Sequence, residues 1–402
     1  MFEAFYEIIK EFSPEWQLYL TYLPHFSIAF FTGVLLTPII GYIAVKLNIF
    51  DLPAHERKSK STLNTSDNPT RHIHKKRVPF LGGLAVLIPF IGYMLFTAGQ
   101  DPVMISILIA TGLITVAGAL DDIFNLPSKV QFGIHILAAF IIAFSVVNIE
   151  VIQNPFGGYF NLNLFSWNFS LFGLPQQLIL PGDLIIIGWI VVCINAVKWV
   201  GGSDGILEGN SVLALVFLFI IGLQGGHVDV AQMSILLSGT ILGFLIYNFP
   251  PAKIYTGASG KTAYGFLIAV FAIISGSKIA TTMILLFIPL VDFVFVLVNR
   301  IIKHKPRSLA QLLKINDKTH LHHKLLELGL TKKQTLLVES SVTLLVGSLG
   351  VLTAGVTRLF LLFLIGFIGT IILLILHQIS KKRRVKLEQE KEAESPESKY
   401  SY

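Results

Sequence analysis

Long apolar segments recur along almost the whole of this 402-residue chain. Most of them approach the roughly 20 residues that an α-helix needs to cross the hydrocarbon core of a bilayer. With 53% hydrophobic and 14% charged residues, the chain is too apolar for a soluble domain of this size. The sequence therefore predicts an all-α polytopic membrane protein with about eleven transmembrane helices. The predicted segments are 25–45, 79–98, 103–120, 130–149, 184–200, 211–225, 230–249, 263–277, 279–302, 336–356 and 359–379.

Lys and Arg residues cluster between alternate apolar segments, and this bias orients the predicted bundle. Because positive residues concentrate in cytoplasmic loops, the N-terminus is expected outside and the C-terminus inside. The basic stretch 57–77, the loop 303–333 and the tail 381–384 then lie in the cytoplasm. Segment 150–183 has no Lys or Arg and falls outside. Its Gly, Pro and alternating apolar residues predict a small hairpin in this outer loop.

The chain divides into three predicted parts. Residues 1–24 are acidic, lack a cleavage-type signal peptide and predict an interfacial amphipathic segment. Residues 25–380 form the polytopic membrane domain. Residues 381–402 form a basic, then mixed-charge, cytoplasmic tail. We therefore expect a multi-pass protein of the plasma membrane.

Composition and motifs exclude several functional classes. The single cysteine, Cys193, lies in an apolar segment, so a disulfide framework or a cysteine-based metal site is excluded. The net charge of +7 arises from cations beside apolar segments, which indicates membrane lipids rather than nucleic acid as partners. The Gly-rich stretch 257–262 is not a P-loop, because Tyr255 occupies the position of the first required Gly.

Five predicted cytoplasmic loops are polar, Gly-rich or His-rich: 71–83, 121–129, 195–210, 248–261 and 317–324. The outer loops hold nothing comparable. Asp121 and Asp122 end an apolar segment, where two adjacent carboxylates are costly unless they have a function. A simple capping role is disfavoured, since the macrodipole makes a helix C-terminus unfavourable for carboxylates. These patterns predict chemistry on a phosphate or a metal at the cytoplasmic face.

Taken in order, these loops resemble one family. Its members are membrane transferases that move an N-acetylhexosamine 1-phosphate from a UDP-sugar onto polyprenyl phosphate. They form glycosyltransferase family 4, which includes enzymes related to the phospho-N-acetylmuramoyl-pentapeptide transferases. The His-Leu-His-His sequence at 320–323 favours the branch that uses UDP-N-acetylglucosamine or a related sugar over the muramoyl-pentapeptide branch. The matching stretches are 71–83, 118–122, 195–196, 204–205 with Gly209, 247–254 and 320–326.

The resemblance implies a role for each group of polar residues. Asp121 and Asp122 are expected to be catalytic, by orienting or deprotonating the lipid phosphate or by helping to place Mg²⁺. Mg²⁺, the cofactor expected from the family, would neutralise charge that develops on the diphosphate. The partners would be polyprenyl phosphate and a UDP-sugar, and a homo-oligomer is compatible with the sequence. The candidate substrate-binding residues are Lys76, Asn195, Lys198, Asp204, Asn248, Lys261, His320, His322 and His323.

The sequence departs from the family pattern at positions that concern the metal. Where the family has Asn-Ala-x-Asn-x-x-Asp-Gly-x-Asp-Gly, this chain has Lys198 for the second Asn and Gly201 for the first Asp. Where the family has Gly-Asp-x-Gly-Ser, it has Ala258 for Asp and Lys261 for Ser. Carboxylates are thus lost and ammonium groups gained, which opposes Mg²⁺ by Coulomb repulsion. Asp204 remains as a weak candidate metal ligand.

Three functions remain open from the sequence. The first is a sugar-phosphate transferase with an altered, lysine-assisted site, which would start a cell-envelope glycan such as lipopolysaccharide or teichoic acid. The second is a pseudoenzyme that binds the lipid or the nucleotide without turnover. The third is a transporter, for which intramembrane charges such as Asp292 and Lys198 would line a path. The transporter is least favoured, since no inverted repeat is evident. If the chain is a transferase, we predict that its nucleotide binding depends less on Mg²⁺ than is usual for the family.

Overall fold

A computed structural model describes residues 13–51, 77–97, 101–145, 150–154, 158–171, 174–275, 279–308, 311–312, 315, 319–353 and 355–393. Helices dominate these ranges. They are α1 Pro14–Leu20, α2 Leu23–Lys46, α3 Gly82–Thr97, α4 Pro102–Phe124, α5 Ser128–Ala143, α6 Gly182–Val200, α7 Ile206–Gln224, α8 Val228–Asn248, α9 Gly257–Ile274, α10 Ile279–Leu285, α11 Phe287–His304, α12 Leu321–Glu327, α13 Lys332–Leu352 and α14 Gly355–Ala393. The strands are β1 Phe50–Asp51, β2 Val78–Pro79, β3 Val151–Gln153, β4 Tyr159–Asn161, β5 Asn163–Leu171 and β6 Leu174–Pro181.

In the described part of the chain, eight helical spans are long and apolar enough to cross a membrane. A helical, multi-pass membrane protein is thereby confirmed. The eight spans are Trp16–Lys46, Pro102–Phe124, Gly182–Val200, Ile206–Gln224, Val228–Asn248, Gly257–Ile274, Lys332–Leu352 and Thr357–Arg383.

The predicted count of about eleven spans is not confirmed. Helices α3 and α5 have 16 residues each, which gives a length of about 24 Å. The predicted segment 279–302 is divided at Leu286 into α10 and α11. All these segments are helical, but short or interrupted helices do not meet the length of a simple membrane span. The inside and outside assignments and the limits of the three parts stay predictions.

Helix α9 lies at the centre of the bundle, and 78% of its residues are buried. Small residues bring its neighbours close, as is common for helices in membranes. A Cβ atom on Gly118 of α4 would lie 2.9 Å from the carbonyl carbon of Ala258. A Cβ atom on Gly265 of α9 would lie 2.8 Å from the carbonyl oxygen of Cys193 in α6. This packing holds the C-terminal end of α4 beside the N-terminal end of α9.

Segment 150–183 contains the hairpin that its sequence predicts. Strand β5 pairs antiparallel with β6, and Trp167 lies opposite Leu178. Strands β3 and β4 form a smaller antiparallel pair just before it. Phe165 and Trp167 are exposed on β5. The hairpin leads directly into α6, so it lies at the opposite end of that helix from Lys198.

Candidate functional site

The candidate site lies where ends of helices α3, α4, α6 and α9 meet. The N–H of Gly82 donates to the carbonyl of Tyr255 at 2.9 Å, and the N–H of Gly83 donates to that of Thr256 at 2.6 Å. A Cβ atom on Gly83 would lie 2.7 Å from the Cα of Gly260. The two glycines therefore let the start of α3 pack directly on the loop that precedes α9.

Asp122 joins α4 to α9. Its Oδ1 atom accepts the backbone N–H of Ala258 at 2.7 Å, in the first turn of α9. This contact satisfies a donor that the helix itself leaves unpaired. Gly257 makes the approach feasible, since its φ of +75° favours glycine and a Cβ there would lie 2.8 Å from the Cγ of Asp122. Asp122 thus has a structural contact, and its catalytic role stays a prediction.

The side chain of Asp121 contacts α5 and the loop before it. Its Oδ1 atom accepts the backbone N–H of Leu126 at 2.8 Å and the side-chain Nε2–H of Gln131 at 2.9 Å. Nζ of Lys198 donates to Oε1 of the same Gln131. An amide therefore bridges a carboxylate on α4 and an ammonium group on α6.

This bridge lies on the wall of a small cavity that is partly open to solvent; its empty space, counted together with the open solvent at its mouth, is about 270 Å³. Its lining combines apolar side chains with carboxylate, amide, imidazole, hydroxyl and ammonium groups. Asp121 and Lys198 are the charged residues in its lining. The cavity is lined by Ile114, Ala117, Gly118, Asp121, Leu126, Gln131, Ile134, His135, Lys198, Ala258 and Thr262.

Lys261 extends from α9 across the end of α6. A Cβ atom on Gly201 would lie 3.0 Å from its Cε, 3.1 Å from its Cδ and 3.2 Å from its Cγ. The side chain acts electrostatically on Asp121, Asp122 and Glu208. Lys261 therefore brings a positive charge among three carboxylates, and the missing side chain at position 201 leaves room for its stem.

Asp204 is fully buried and lies in a network that joins two loops. Its carboxylate forms an ion pair with Lys332, with Nζ 3.0 Å from both oxygens. Oδ2 also accepts the N–H of Ala252 at 3.1 Å, and Oδ1 accepts the phenol of Tyr255 at 3.3 Å. Burial, together with the negative charge of Asp204, raises the pKa of Tyr255 above its ordinary value, so the phenol remains a donor. These contacts engage both oxygens, and metal binding by Asp204 stays a prediction.

The two predicted asparagines contact backbone groups. Nδ2 of Asn195 donates to the carbonyl of Val191 in its own helix at 2.8 Å. Oδ1 of Asn248 accepts the N–H of Gly205 at 2.8 Å, while its Nδ2 donates to the carbonyl of Ile254 at 2.7 Å. Asn248 thus ties the two loops together. Substrate binding by either residue stays a prediction.

Lys76, another predicted binding residue, lies outside the residues that the structure describes. The nearest described basic residue on that loop is Arg77, which precedes strand β2. Substrate binding by Lys76 therefore stays a prediction.

The three histidines lie at the start of α12 and close to the end of α6. A Cβ atom on Gly202 would lie 2.8 Å from Nε2 of His322. The rings of His320 and His322 stack with centroids 5.6 Å apart, and those of His322 and His323 are 4.4 Å apart. Since Gly201 touches Lys261, the Gly201–Gly202 turn lies between the lysine and the histidines. The loops that carry these residues therefore lie next to one another in the structure.

Asp292 and Trp199 hold His320 in place. Nδ1 of His320 lies 2.7 Å from Oδ2 of Asp292, and Oδ1 of the same carboxylate accepts the N–H of Leu321 at 2.7 Å. Trp199 meets the imidazole edge to face, with centroids 5.8 Å apart. The guanidinium of Arg300 lies 4.5 Å from the centroid of the Trp199 ring, within the range of a cation–π contact.

The family resemblance implies Mg²⁺, but the residues in place fit that ion poorly. Within the described ranges, no three His, Cys, Asp or Glu side chains are grouped so that they could hold a metal ion. Ala258 offers no ligand, Asp122 caps a helix, and Lys198 and Lys261 add positive charge beside Asp121. Mg²⁺ prefers an octahedron of oxygen ligands.

Gln131, His135 and Thr262 line the cavity, and sequence reasoning missed all three. A signal for two of them was present. Gln131 and His135 are four residues apart in an otherwise apolar segment, so they lie on one face of a helix. Thr262 follows a Gly-rich stretch that matched no motif, and only its position in the cavity lining identifies it.

Comparison with known proteins finds sequences similar to this chain. Residues 104–276, which include α4 to α9, match the profile of glycosyl transferase family 4. The chain is 29% identical to a probable undecaprenyl-phosphate N-acetylglucosaminyl 1-phosphate transferase of Bacillus subtilis, over 78% of this chain and 79% of the relative. It is 28% identical to a decaprenyl-phosphate N-acetylglucosaminephosphotransferase of Mycobacterium leprae, over 67% and 71%. It is 30% identical to a phospho-N-acetylmuramoyl-pentapeptide-transferase of Clostridium botulinum, over 56% of this chain and 68% of the relative. The chain belongs to glycosyl transferase family 4.

Proposed function

We propose that this chain is a membrane phosphotransferase for a sugar 1-phosphate. The donor would be a UDP-sugar carrying an N-acetylhexosamine or a related sugar, and the acceptor would be polyprenyl phosphate. Two of the relatives above are named for N-acetylglucosamine phosphate transfer to a polyprenyl phosphate, which supports this acceptor and this sugar class. The product would be the first lipid-linked intermediate of a cell-envelope glycan, made at the cytoplasmic face of the plasma membrane.

The observation that carries this proposal is the cavity between α4, α5, α6 and α9. Asp121 and Lys198 share its wall, and Gln131 joins them by hydrogen bonds. A carboxylate can accept a proton or orient an acceptor phosphate, while an ammonium group attracts a diphosphate. Ile114, Ala117 and Ile134 give the same cavity apolar lining residues that suit an isoprenoid chain.

The transfer would proceed by displacement at phosphorus. An oxygen of the lipid phosphate forms a bond to the sugar-bearing phosphorus of the donor. The bond from that phosphorus to the bridging oxygen breaks, and uridine monophosphate leaves with the electron pair. Asp121 would orient the attacking phosphate and take up any proton it carries, while positive groups stabilise the charge on the leaving phosphate.

A direct assay tests this function. Membranes containing the full chain are incubated with radiolabelled UDP-N-acetylglucosamine and undecaprenyl phosphate, with control membranes that lack it. We expect labelled lipid and an equal amount of uridine monophosphate only where the chain is present. Nucleotide binding without labelled lipid, for several UDP-sugars, would instead favour the pseudoenzyme.

A further inference from the structure

Lys261 brings an ammonium group near carboxylates of the candidate site. It acts on Asp121, Asp122 and Glu208. Asp121 and Asp122 are adjacent in the chain, and like charges repel one another more strongly in a region of reduced dielectric. The ammonium group of Lys261 thus supplies, as a covalent part of the chain, charge that a bound cation would otherwise bring.

The glycine that follows α6 leaves space for the side chain of Lys261. The stem of Lys261 runs over Gly201, where a Cβ atom would come within 3.0–3.2 Å of three successive carbons of the side chain. A carboxylate side chain at position 201 would need the same space. The glycine at 201 and the lysine at 261 therefore form one structural unit.

Lys198 places a second ammonium group on the cavity wall. It lies one residue before Trp199 on α6, donates to Gln131 and acts electrostatically on Asp121. Since Gln131 is also bonded to Asp121, the lysine and the carboxylate are held at opposite ends of one amide. A ligand phosphate in this cavity would meet a lining that contains both Lys198 and Asp121.

We propose that Lys261 and Lys198 neutralise the diphosphate of the donor in place of a divalent cation. This inference rests on the proposed function and specifies its electrostatics. Each ammonium group acts as a point charge that donates hydrogen bonds to phosphate oxygens, so the diphosphate is bound without an ion shared between protein and substrate. The lost carboxylate position, Ala258, then needs no ligand.

The test uses the purified full chain in detergent and inorganic pyrophosphate as the probe, with binding measured by calorimetry. Titrations are made with excess chelator and with Mg²⁺, corrected for magnesium pyrophosphate in solution. We expect binding in chelator. Lys198→Met and Lys261→Met, which keep an unbranched side chain one atom shorter and remove its charge, should weaken that binding by about tenfold or more. Lys303→Met, at an exposed lysine on α11, is the matched control and should bind as the wild type does.

The possible results are distinct. Wild-type binding that disappears in chelator and returns with Mg²⁺ overturns the inference, as do lysine variants that bind normally or a wild type that binds under neither condition. The labelled-lipid assay is scored separately, so an active enzyme with Mg²⁺-dependent binding keeps the proposed function and rejects the lysine role. Should Lys261→Met fail to fold, Lys198→Met and the chelator dependence of the wild type still decide.

Discussion

Oδ1 of Asp122 accepts the N–H of Ala258 at 2.7 Å, so a carboxylate at the end of α4 caps the first turn of α9. Its neighbour Asp121 bonds to Gln131 and faces the cavity instead. Two adjacent acids that look equivalent in the sequence therefore have different surroundings. Substitutions at the two positions should separate stability from activity.

Asp122→Ala should lower the stability of the folded protein. The substitution removes an N-terminal helix cap, which typically costs about 1–2 kcal/mol. We expect a decrease of several degrees in the apparent melting temperature in detergent. Asp121→Ala, measured alongside, should change it less, because its carboxylate lies beside the open cavity. Equal melting temperatures for Asp122→Ala and wild type would show that the cap contributes no stability.

Asp121→Asn should reduce turnover while preserving the fold. The amide oxygen can still accept from Leu126 and Gln131, but the negative charge beside the acceptor phosphate is lost. Loss of a general base or orienting carboxylate typically lowers the rate by about 10²–10⁴-fold. Labelled-lipid formation measures the effect. Asp101→Asn, at the start of the same helix, is the control and should retain activity, since the Asp101 side chain caps the opposite end of α4 by accepting the N–H of Val103. Wild-type turnover in Asp121→Asn would remove this residue from the mechanism.

The sequence predicted the helices well because an apolar segment is recognised from its own consecutive residues. In the structure the Gly201–Gly202 turn lies beside both Lys261 and His322, so loops that are distant in the sequence meet there. The individual roles were harder to predict, since they depend on contacts between distant positions. Asp122 caps a helix that begins 135 residues later, and Asp204 pairs with Lys332. No local pattern records such pairs, so a polar residue in a loop looks the same whether it braces the fold or faces a substrate.

Gly201→Val should destabilise the protein through Lys261. The larger side chain would meet the Lys261 stem, whose carbons lie 3.0–3.2 Å from a Cβ at this position. Combining it with Lys261→Ala should remove the clash, so the two changes should show a coupling energy of about 0.5–3 kcal/mol. Thermal unfolding of the four variants of a double-mutant cycle measures it. Gly188→Val on the same helix is the control, because a Cβ there meets nothing within 4 Å and its effect should add to that of Lys261→Ala. Additive effects at 201 would contradict the coupling.

The hairpin should be accessible from outside the cell. Ser166 is exposed on β5, and Lys303 is exposed near the end of α11, which the charge bias assigns to the cytoplasm. In a background carrying Cys193→Ala, Ser166→Cys should react with a membrane-impermeant maleimide in intact cells, and Lys303→Cys should react only after lysis. The native Cys193 is itself fully buried. Protection of residue 166 together with labelling of residue 303 in intact cells would reverse the predicted orientation.

Asp292→Asn should impair the site through His320. A carboxylate only accepts hydrogen bonds, so the 2.7 Å contact requires the hydrogen on Nδ1 of His320. The amide keeps an acceptor for Leu321 but presents N–H to Nδ1, which favours the other tautomer. Losing a charge-assisted hydrogen bond of this kind corresponds to about a tenfold to hundredfold effect. We expect turnover to decrease by that factor while the melting temperature changes little. Asp183→Asn, at a buried carboxylate at the far end of α6, is the matched control and should leave turnover unchanged. Full activity in Asp292→Asn would show that the orientation of His320 does not matter to the reaction.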